Sequence, residues 1–399
     1  MKYTLLTGNN NLSITNKMID GAISGRRLKP SLVKAPSVPR KFPRISSPTA
    51  SRVKKNQLSS RNYRNFQLYR KPLVKNSFPE IKNDRTLSPG GAFTSRKFLT
   101  VNKISVSTKN TVRGFASKTH RGLLKPTNED RITIALELEK PPYREHEVWP
   151  KCSLFAIFDG HRGPECSQFL KDNFNNFLVN DFSFPTNPRL SLKNAFQEAE
   201  TKFLTTACES ENYSGSCALV LLFIGKFCYC ANLGDSRAIA CSGSRIVPFS
   251  KDHKPSNPEE KERIEKAGGK IYRNDFMQNG KVRLGCFRVN PGGLAISRSL
   301  GDMKAKFPKY GGNSQVVISN PDITVFQVQH FDFIVMGSDG LFDKLSNEEI
   351  VRSVFDAAKA NEVGFQLVAA TEELLKKAFE HKSMDNISTV IIALSDLIQ

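Results

Sequence analysis

The first 110 residues almost lack acids. They hold Asp20, Glu80 and Asp84 against 23 lysines and arginines, a net charge of +20. The remaining 289 residues carry 36 bases and 35 acids, so the overall charge of +21 belongs to one end. Nowhere is there a run near the roughly 18 apolar residues that a membrane helix needs, and the longest, Ala218–Ile224, suits a buried strand. This excludes an integral membrane protein built from helices. No secretory leader accompanies the eight cysteines, which therefore read as reduced intracellular thiols and not as a disulfide framework. No cysteine has an arginine six residues on, so a Cys-x5-Arg nucleophile loop is missing. There is also no zinc-ligand spacing and no aromatic stacking pattern of the kind that reads nucleic acid.

Segment 1–110 is rich in Ser, Asn, Lys, Arg and Pro and has few apolar clusters. Such a chain buries too little apolar surface to offset its conformational entropy, which predicts disorder. Four readings fit this basic tail: a targeting peptide for a receptor, a docking tail for an anionic surface, a regulatory tail with Ser47-Pro48 and Ser88-Pro89 as kinase sites, and a silent solvated extension. Cytoplasm and nucleus are the default compartments, with an organelle open if the tail is an address.

From Thr111 onward the patterning changes. Arg131–Leu138, Ser153–Phe158, Ala218–Ile224, Phe227–Ala231, Arg237–Cys241, Phe333–Met336 and Ile387–Leu394 read as strands. Gly225-Lys226 is a two-residue hairpin link. Pro164–Val179, Leu192–Leu204 and Gly364–Phe379 read as helices. Asn257-Pro258-Glu259-Glu260 marks a helix start that Gly268 closes, and Ser346-Asn347-Glu348-Glu349 is a capping box. Hairpin-linked strands with interspersed helices predict an α+β fold without strict alternation.

Several acids sit at the ends of apolar runs: Asp159 after Phe155–Phe158, Asp339 after Phe333–Ser338, Asp235 after Asn232–Gly234, Asp385 before Ile387–Leu394, and Glu129-Asp130 before Arg131. An isolated Asp in such a place is usually a turn residue or cap. Gathered at one sheet edge, the carboxylates of these five places repel unless cations compensate. Oxygen ligands without Cys or His select Mg2+ or Mn2+. Neighbouring glycines permit tight turns and close approach of a backbone carbonyl.

Eight motifs occur in order: Asn128-Glu129-Asp130; Phe158-Asp159-Gly160-His161-Arg162-Gly163; Ser214–Ala218; Asn232-Leu233-Gly234-Asp235-Ser236-Arg237; Asp252-His253-Lys254-Pro255; Leu294–Asp302; Ser338-Asp339-Gly340-Leu341-Phe342-Asp343; and Asp385-Asn386-Ile387-Ser388. In them the chain resembles the protein phosphatase 2C family of metal-dependent serine/threonine phosphatases, from about residue 111 to residue 399. The resemblance implies an α-β-β-α sandwich, two antiparallel sheets face to face with helices outside. It implies a site in which Asp159 bridges two Mg2+ or Mn2+ ions, the Gly160 carbonyl and Glu129 serve one, and Asp339 and Asp385 serve the other. Asp235 and Asp343, with Asp339, match a weaker third-ion position, and Asp130 supports the ligands from behind.

The implied reaction is attack by a water bridging the two ions on phosphoserine or phosphothreonine of a protein substrate, with His161 donating a proton to the leaving group and no phosphoenzyme. A monomer is the implied state. Two positions depart from the family pattern. Lys125 stands where an arginine commonly grips the substrate phosphate, keeping the charge but losing the bidentate fork. Arg162 replaces a commonly small residue and either adds a cation near the phosphate or, in the preferred reading, faces solvent. Residues 270–300 match a variable flap whose Arg273, Lys281, Arg283 and Arg288 suit acidic phosphopeptides or a plain solvated loop. His253 is read as holding a turn, and Cys228 and Cys230 as core packing. The alternatives are a catalytically weak scaffold on the same fold, or a protein acting chiefly through its basic tail.

Overall fold

In chain order, the strands of the two large sheets are β1 (Gly114–His120), β2 (Arg131–Ala135), β3 (Cys152–Phe158), β4 (Ala218–Ile224), β5 (Phe227–Leu233), β6 (Arg237–Ser242), β7 (Arg245–Pro248), β8 (Asp322–Gln327), β9 (Phe333–Gly337) and β10 (Ile387–Ala393). The computed structural model describes residues 111–278, 281–361 and 365–395, and the reading of residues 1–110 lies outside them. One sheet runs β1-β10-β9-β6-β7 and the other β8-β5-β4-β3-β2, with every neighbouring pair antiparallel.

Period-two alternation sorts each strand's side chains onto two faces. Phe155 and Ile157 of β3 point between the sheets, where Leu219, Leu221, Cys228 and Cys230 meet Ala238, Ala240, Ile334, Met336, Val390 and Ile392. Leu154, Ala156 and Phe158 point the other way, against two helices, α1 (Glu165–Asn180) and α2 (Pro188–Ser210). α3 (Pro258–Lys266) lies outside both sheet cores. Behind the first sheet, α4 (Asn347–Ala360) and α5 (Gln366–Glu380) cover Ile239, Val335 and Ile391. The result is the α-β-β-α sandwich. Each fully buried Phe or Leu contributes about 1.5–3 kcal/mol, so the three apolar layers hold the strand ends in register. No helix among the described residues is long and apolar enough to cross a membrane.

β4 and β5 form the expected hairpin, with Gly225 at φ +56°. The strands without a clear sequence signal, β1, β7 and β8, all lie at sheet edges, where one paired side and partial exposure relax the demand for alternating apolar residues. α2 is longer than its apolar periodicity because Asn187 caps its start, accepting from the Leu190 N–H. Ser346 and Glu349 form the full capping box of α4. Asn257 precedes α3 but does not cap it, since its side-chain amide donates to the Asp252 carbonyl instead. All eight cysteines are free. Burial pushes the Cys230 thiol up to about 12 and that of Cys228 well above its ordinary value, as packing residues should show.

α3 is tied to the sandwich through Glu260. Its carboxylate accepts from Arg298 Nε at 3.0 Å, from Arg263 at 2.8 Å and from Ser297 Oγ at 2.6 Å, while Arg298 also reaches Asp322 on β8 at 2.7 Å. Burial works against the Glu260 charge, but Arg298, Arg263 and Ser297 outweigh it and hold its pKa at about 2, below the ordinary 4.5. The stability this gives is present above pH 4.5 and lost as pH falls toward 2. Glu260→Gln is expected to lower stability by about 2–3 kcal/mol, because two guanidinium groups lose their carboxylate. Urea unfolding at pH 7 checks the size, and the gap from wild type should shrink at pH 3.

Candidate metal centre and active site

The sandwich brings the strand-end acids together. Asp159 leaves β3 and Asp235 follows β5, both in one sheet, while Asp339 follows β9 and Asp385 precedes β10 in the other. One carboxylate oxygen each from Asp159, Asp235 and Asp339 lies within 4.8 Å of the other two. Burial, and then repulsion from Asp130, Asp339, Asp235 and Asp385, pushes the Asp159 pKa well above the carboxylate range. Asp339 is raised in the same way, by burial and then by Asp235, Asp385 and Asp343. A group of carboxylates that holds itself protonated is one that a divalent cation would stabilise as anions. The donors are hard oxygens, which suits Mg2+ or Mn2+.

Asp130, at the start of β2, accepts from Ser388 Oγ at 2.7 Å through Oδ2, while its buried Oδ1 has no hydrogen-bond partner. Burial lifts its pKa to about 6, against the pull of Ser388 and Ser338. This orphaned acceptor faces the cluster's repulsion, and both features fit a cation nearby. Gly160 must be glycine: a Cβ there would lie 2.5 Å from the Glu129 carbonyl and 2.8 Å from Ser167 Oγ. Glu129 is pinned at that turn, its Oε1 accepting from the Gly163 N–H at 2.8 Å. Its own N–H donates to Asn386 Oδ1 at 2.8 Å, and the Asn386 amide donates to the Arg121 and Thr127 carbonyls. Asn386 thus clamps the 121–129 loop over the acids.

Lys125, on that loop, forms a 2.7 Å ion pair with Asp385. Burial opposes its charge, but Asp385, Glu129 and Asp159 keep its pKa above the ordinary lysine value. Asp343 lies outside the close trio. Lys254 joins it at 2.8 Å and reaches Asp235 at 3.6 Å, so an ammonium already stands between the two acids expected to share a third ion.

Gly160-His161 pairs with Gly215-Ser216, which pairs in turn with Leu300-Gly301, a small ribbon beside the acids. His161 Nε2 lies 2.7 Å from Asp302 Oδ2, and Ser299 Oγ donates to the same oxygen at 2.6 Å. Asp302 is fully buried, yet His161, Ser299 and Lys306 outweigh burial and hold its pKa below the usual range. Arg162 does not simply face solvent: its guanidinium donates to the Gly292 carbonyl at 2.7 Å and approaches Asp302 at 3.4 Å. His253 does hold a turn, accepting from the Gly234 N–H through Nδ1 and meeting Asp322 through Nε2.

A family model described as Protein phosphatase 2C matches residues 124–387. The chain belongs to that family. Rice (Oryza sativa subsp. japonica) probable protein phosphatase 2C 45 is 34% identical to this phosphatase over 243 residues, covering 60% of this chain and 76% of its own. Paramecium tetraurelia protein phosphatase 2C 1 is 36% identical over 242 residues, covering 57% and 74%. A crystal structure of a serine-threonine phosphatase 2C from Toxoplasma gondii shares the fold, with a TM-score of 0.56 at 21% identity, covering 70% of this chain and 94% of that one. A Caenorhabditis elegans sex-determining protein does so with a TM-score of 0.57 at 23% identity, covering 71% and 65%. The phosphatase is thus an enzyme of a metal-dependent serine/threonine class, and phosphoproteins are the substrates its family implies.

Proposed function

We propose that this phosphatase hydrolyses phosphoserine and phosphothreonine in proteins with two Mg2+ or Mn2+ ions, held by Asp159, the Gly160 carbonyl, Asp339 and Asp385. The convergence of Asp159, Asp235 and Asp339 on one small volume carries this reading. When bound, the ions supply an activated water and neutralise charge growing on the phosphoryl oxygens. Glu129 and Asp130 support the ligand set from the loop and from β2. Lys125, beside Asp385, presents its ammonium to the substrate phosphate. The Asp302 carboxylate takes the Nε2 side of His161, which leaves Nδ1 as the atom that gives a proton to the departing alkoxide. The buried carboxylate keeps the ring oriented and stabilises its cationic form. Lys254 shares Asp235 and Asp343, which makes any third ion at that pair weaker than the first two. For the alternative of a catalytically weak scaffold, Lys125 in place of an arginine is the one favourable feature among the described residues.

Full-length protein with a phosphothreonine peptide tests the proposal. Phosphate release should require added Mn2+ or Mg2+ and cease in EDTA, and metal-independent turnover would overturn it. Lys125→Arg is expected to lower KM about threefold to tenfold, since a planar fork binds phosphate in two contacts where an ammonium makes one. Initial rates across peptide concentrations check this.

A further inference from the structure

The face beside His161 carries cations and rings that hydrolysis itself does not use. Tyr213 lies two residues before Gly215, the residue paired opposite His161. The Lys304 ammonium stands 3.6 Å from the centre of the Tyr213 ring. Tyr310 meets that ring edge-on at 6.1 Å, and the Lys309 ammonium stands 4.7 Å from the centre of Tyr310. Both lysines are exposed, and both tyrosines are half-buried. Among the described residues, neither lysine has an ion-pairing carboxylate. Glu211, whose charge acts on Tyr213, pairs with neither among the described ion pairs.

This group is built into the same segment that orients His161. The Asp302 N–H donates to the Ser214 carbonyl at 3.0 Å, and two residues on, Lys304 sits in a short helix, Met303–Lys306, whose other side chains are buried. Lys306 anchors that helix through Glu200 and the Ser299 carbonyl. Arg162 bonds the Gly292 carbonyl, and Gly292 lies against Ala305: a Cβ added there would be 2.7 Å from the Ala305 Cβ. Arg162, Lys304 and Lys309 thus put three cations on the ribbon, loop and short helix that adjoin His161 and Asp302 in the chain or in pairing. An ammonium seated on a ring face is held in place while its charge stays free for an anion.

We infer that Lys304 and Lys309, seated on Tyr213 and Tyr310, form a subsite for an anionic side chain flanking the phosphoresidue, either a carboxylate or a second phosphate. The inference rests on the hydrolytic reading above. An extended peptide whose phosphate lies at the aspartates passes His161 and reaches these lysines with a nearby residue. The tyrosine edges offer apolar contact to the stem of that side chain.

The test compares full-length protein with Mn2+ on three phosphothreonine peptides, whose flanks are neutral, rich in Asp and Glu, or carry a second phosphothreonine. Wild type should favour the anionic peptides about tenfold in kcat/KM, and the preference should shrink as NaCl rises. The Lys304→Gln, Lys309→Gln double variant should reduce the ratio of anionic to neutral kcat/KM by about fivefold or more, and the Lys304→Arg, Lys309→Arg variant should restore it. A preference for only one of the anionic peptides identifies which anion the subsite takes. An unchanged ratio in the Gln variant, or no preference in wild type, overturns the subsite while leaving hydrolysis intact. No turnover of any peptide overturns the hydrolytic reading instead. Fluorescence anisotropy of a labelled anionic peptide then reports the subsite separately, because the basic tail is the same in every variant: weaker binding by the Gln variant supports it and equal binding overturns it.

Discussion

Asp159→Asn is expected to reduce kcat by about a thousandfold or more while leaving the metal-free fold at least as stable. The loss follows from position. Asp159 is the carboxylate on which repulsion from Asp130, Asp339, Asp235 and Asp385 converges, and it is the ligand proposed to serve both ions. The gain follows from the same repulsion, which a neutral amide relieves. The sign of the pH dependence comes from the raised pKa values. These three carboxylates, Asp130, Asp159 and Asp339, give the metal-free protein their full contribution below the unfolded carboxylate pKa, near 3.8, and that contribution falls as pH rises through about 6 for Asp130 and through the raised values of Asp159 and Asp339. Thermal unfolding in EDTA should therefore show the melting temperature dropping between pH 5 and pH 8. Mn2+ should raise it at the upper end, and Asp159→Asn should flatten both responses. A variant that retains Mn2+-dependent turnover at the wild-type rate would sink the assignment.

Asp302→Asn is expected to reduce kcat by about a hundredfold with little change in KM. Asn is the informative substitution because Asp302 adopts a left-handed backbone, φ +54°, which Asn tolerates better than any other residue with a side chain but no carboxylate. The fold then survives, and only the negative charge facing His161 Nε2 is removed. Without that charge the imidazolium form loses its partner, and ring orientation rests on a neutral amide. Asp302→Ala should additionally destabilise the protein, because Ser299 and Arg162 lose an acceptor in a buried place. If Asp302→Asn raises KM and spares kcat, the residue acts on substrate binding and its role beside His161 is wrong.

Asp159, Asp235, Asp339, Asp385 and Asp130 are legible because each flanks, before or after, an apolar run that reads as a strand. Phe155–Phe158 before Asp159 and Phe333–Met336 before Asp339 announce both the strand and its end. Asp302, Lys254 and Asn386 lie in motifs whose local sequence gives them no role. Their meaning comes from partners 141, 89 and 257 positions away, namely His161, Asp343 and Glu129. No local periodicity reports such pairings. The contact that holds Arg162 is hidden for the same reason, since the carbonyl that accepts from it belongs to Gly292, 130 residues downstream. The edge strands β1, β7 and β8 escaped because half-exposed segments carry too little apolar contrast. Interior strands, which are defined by near neighbours, are readable within a residue or two, whereas α2 starts four residues before and ends six residues after its apolar periodicity.

Asp159 and Asp235 follow strands of one sheet and Asp339 a strand of the other, so an ion shared by them would act as a rivet through the sandwich. Any slippage of one layer past its mate would open the coordination shell before a single strand frayed. Catalytic competence in this enzyme is thereby made a gauge of how tightly its two halves are fastened.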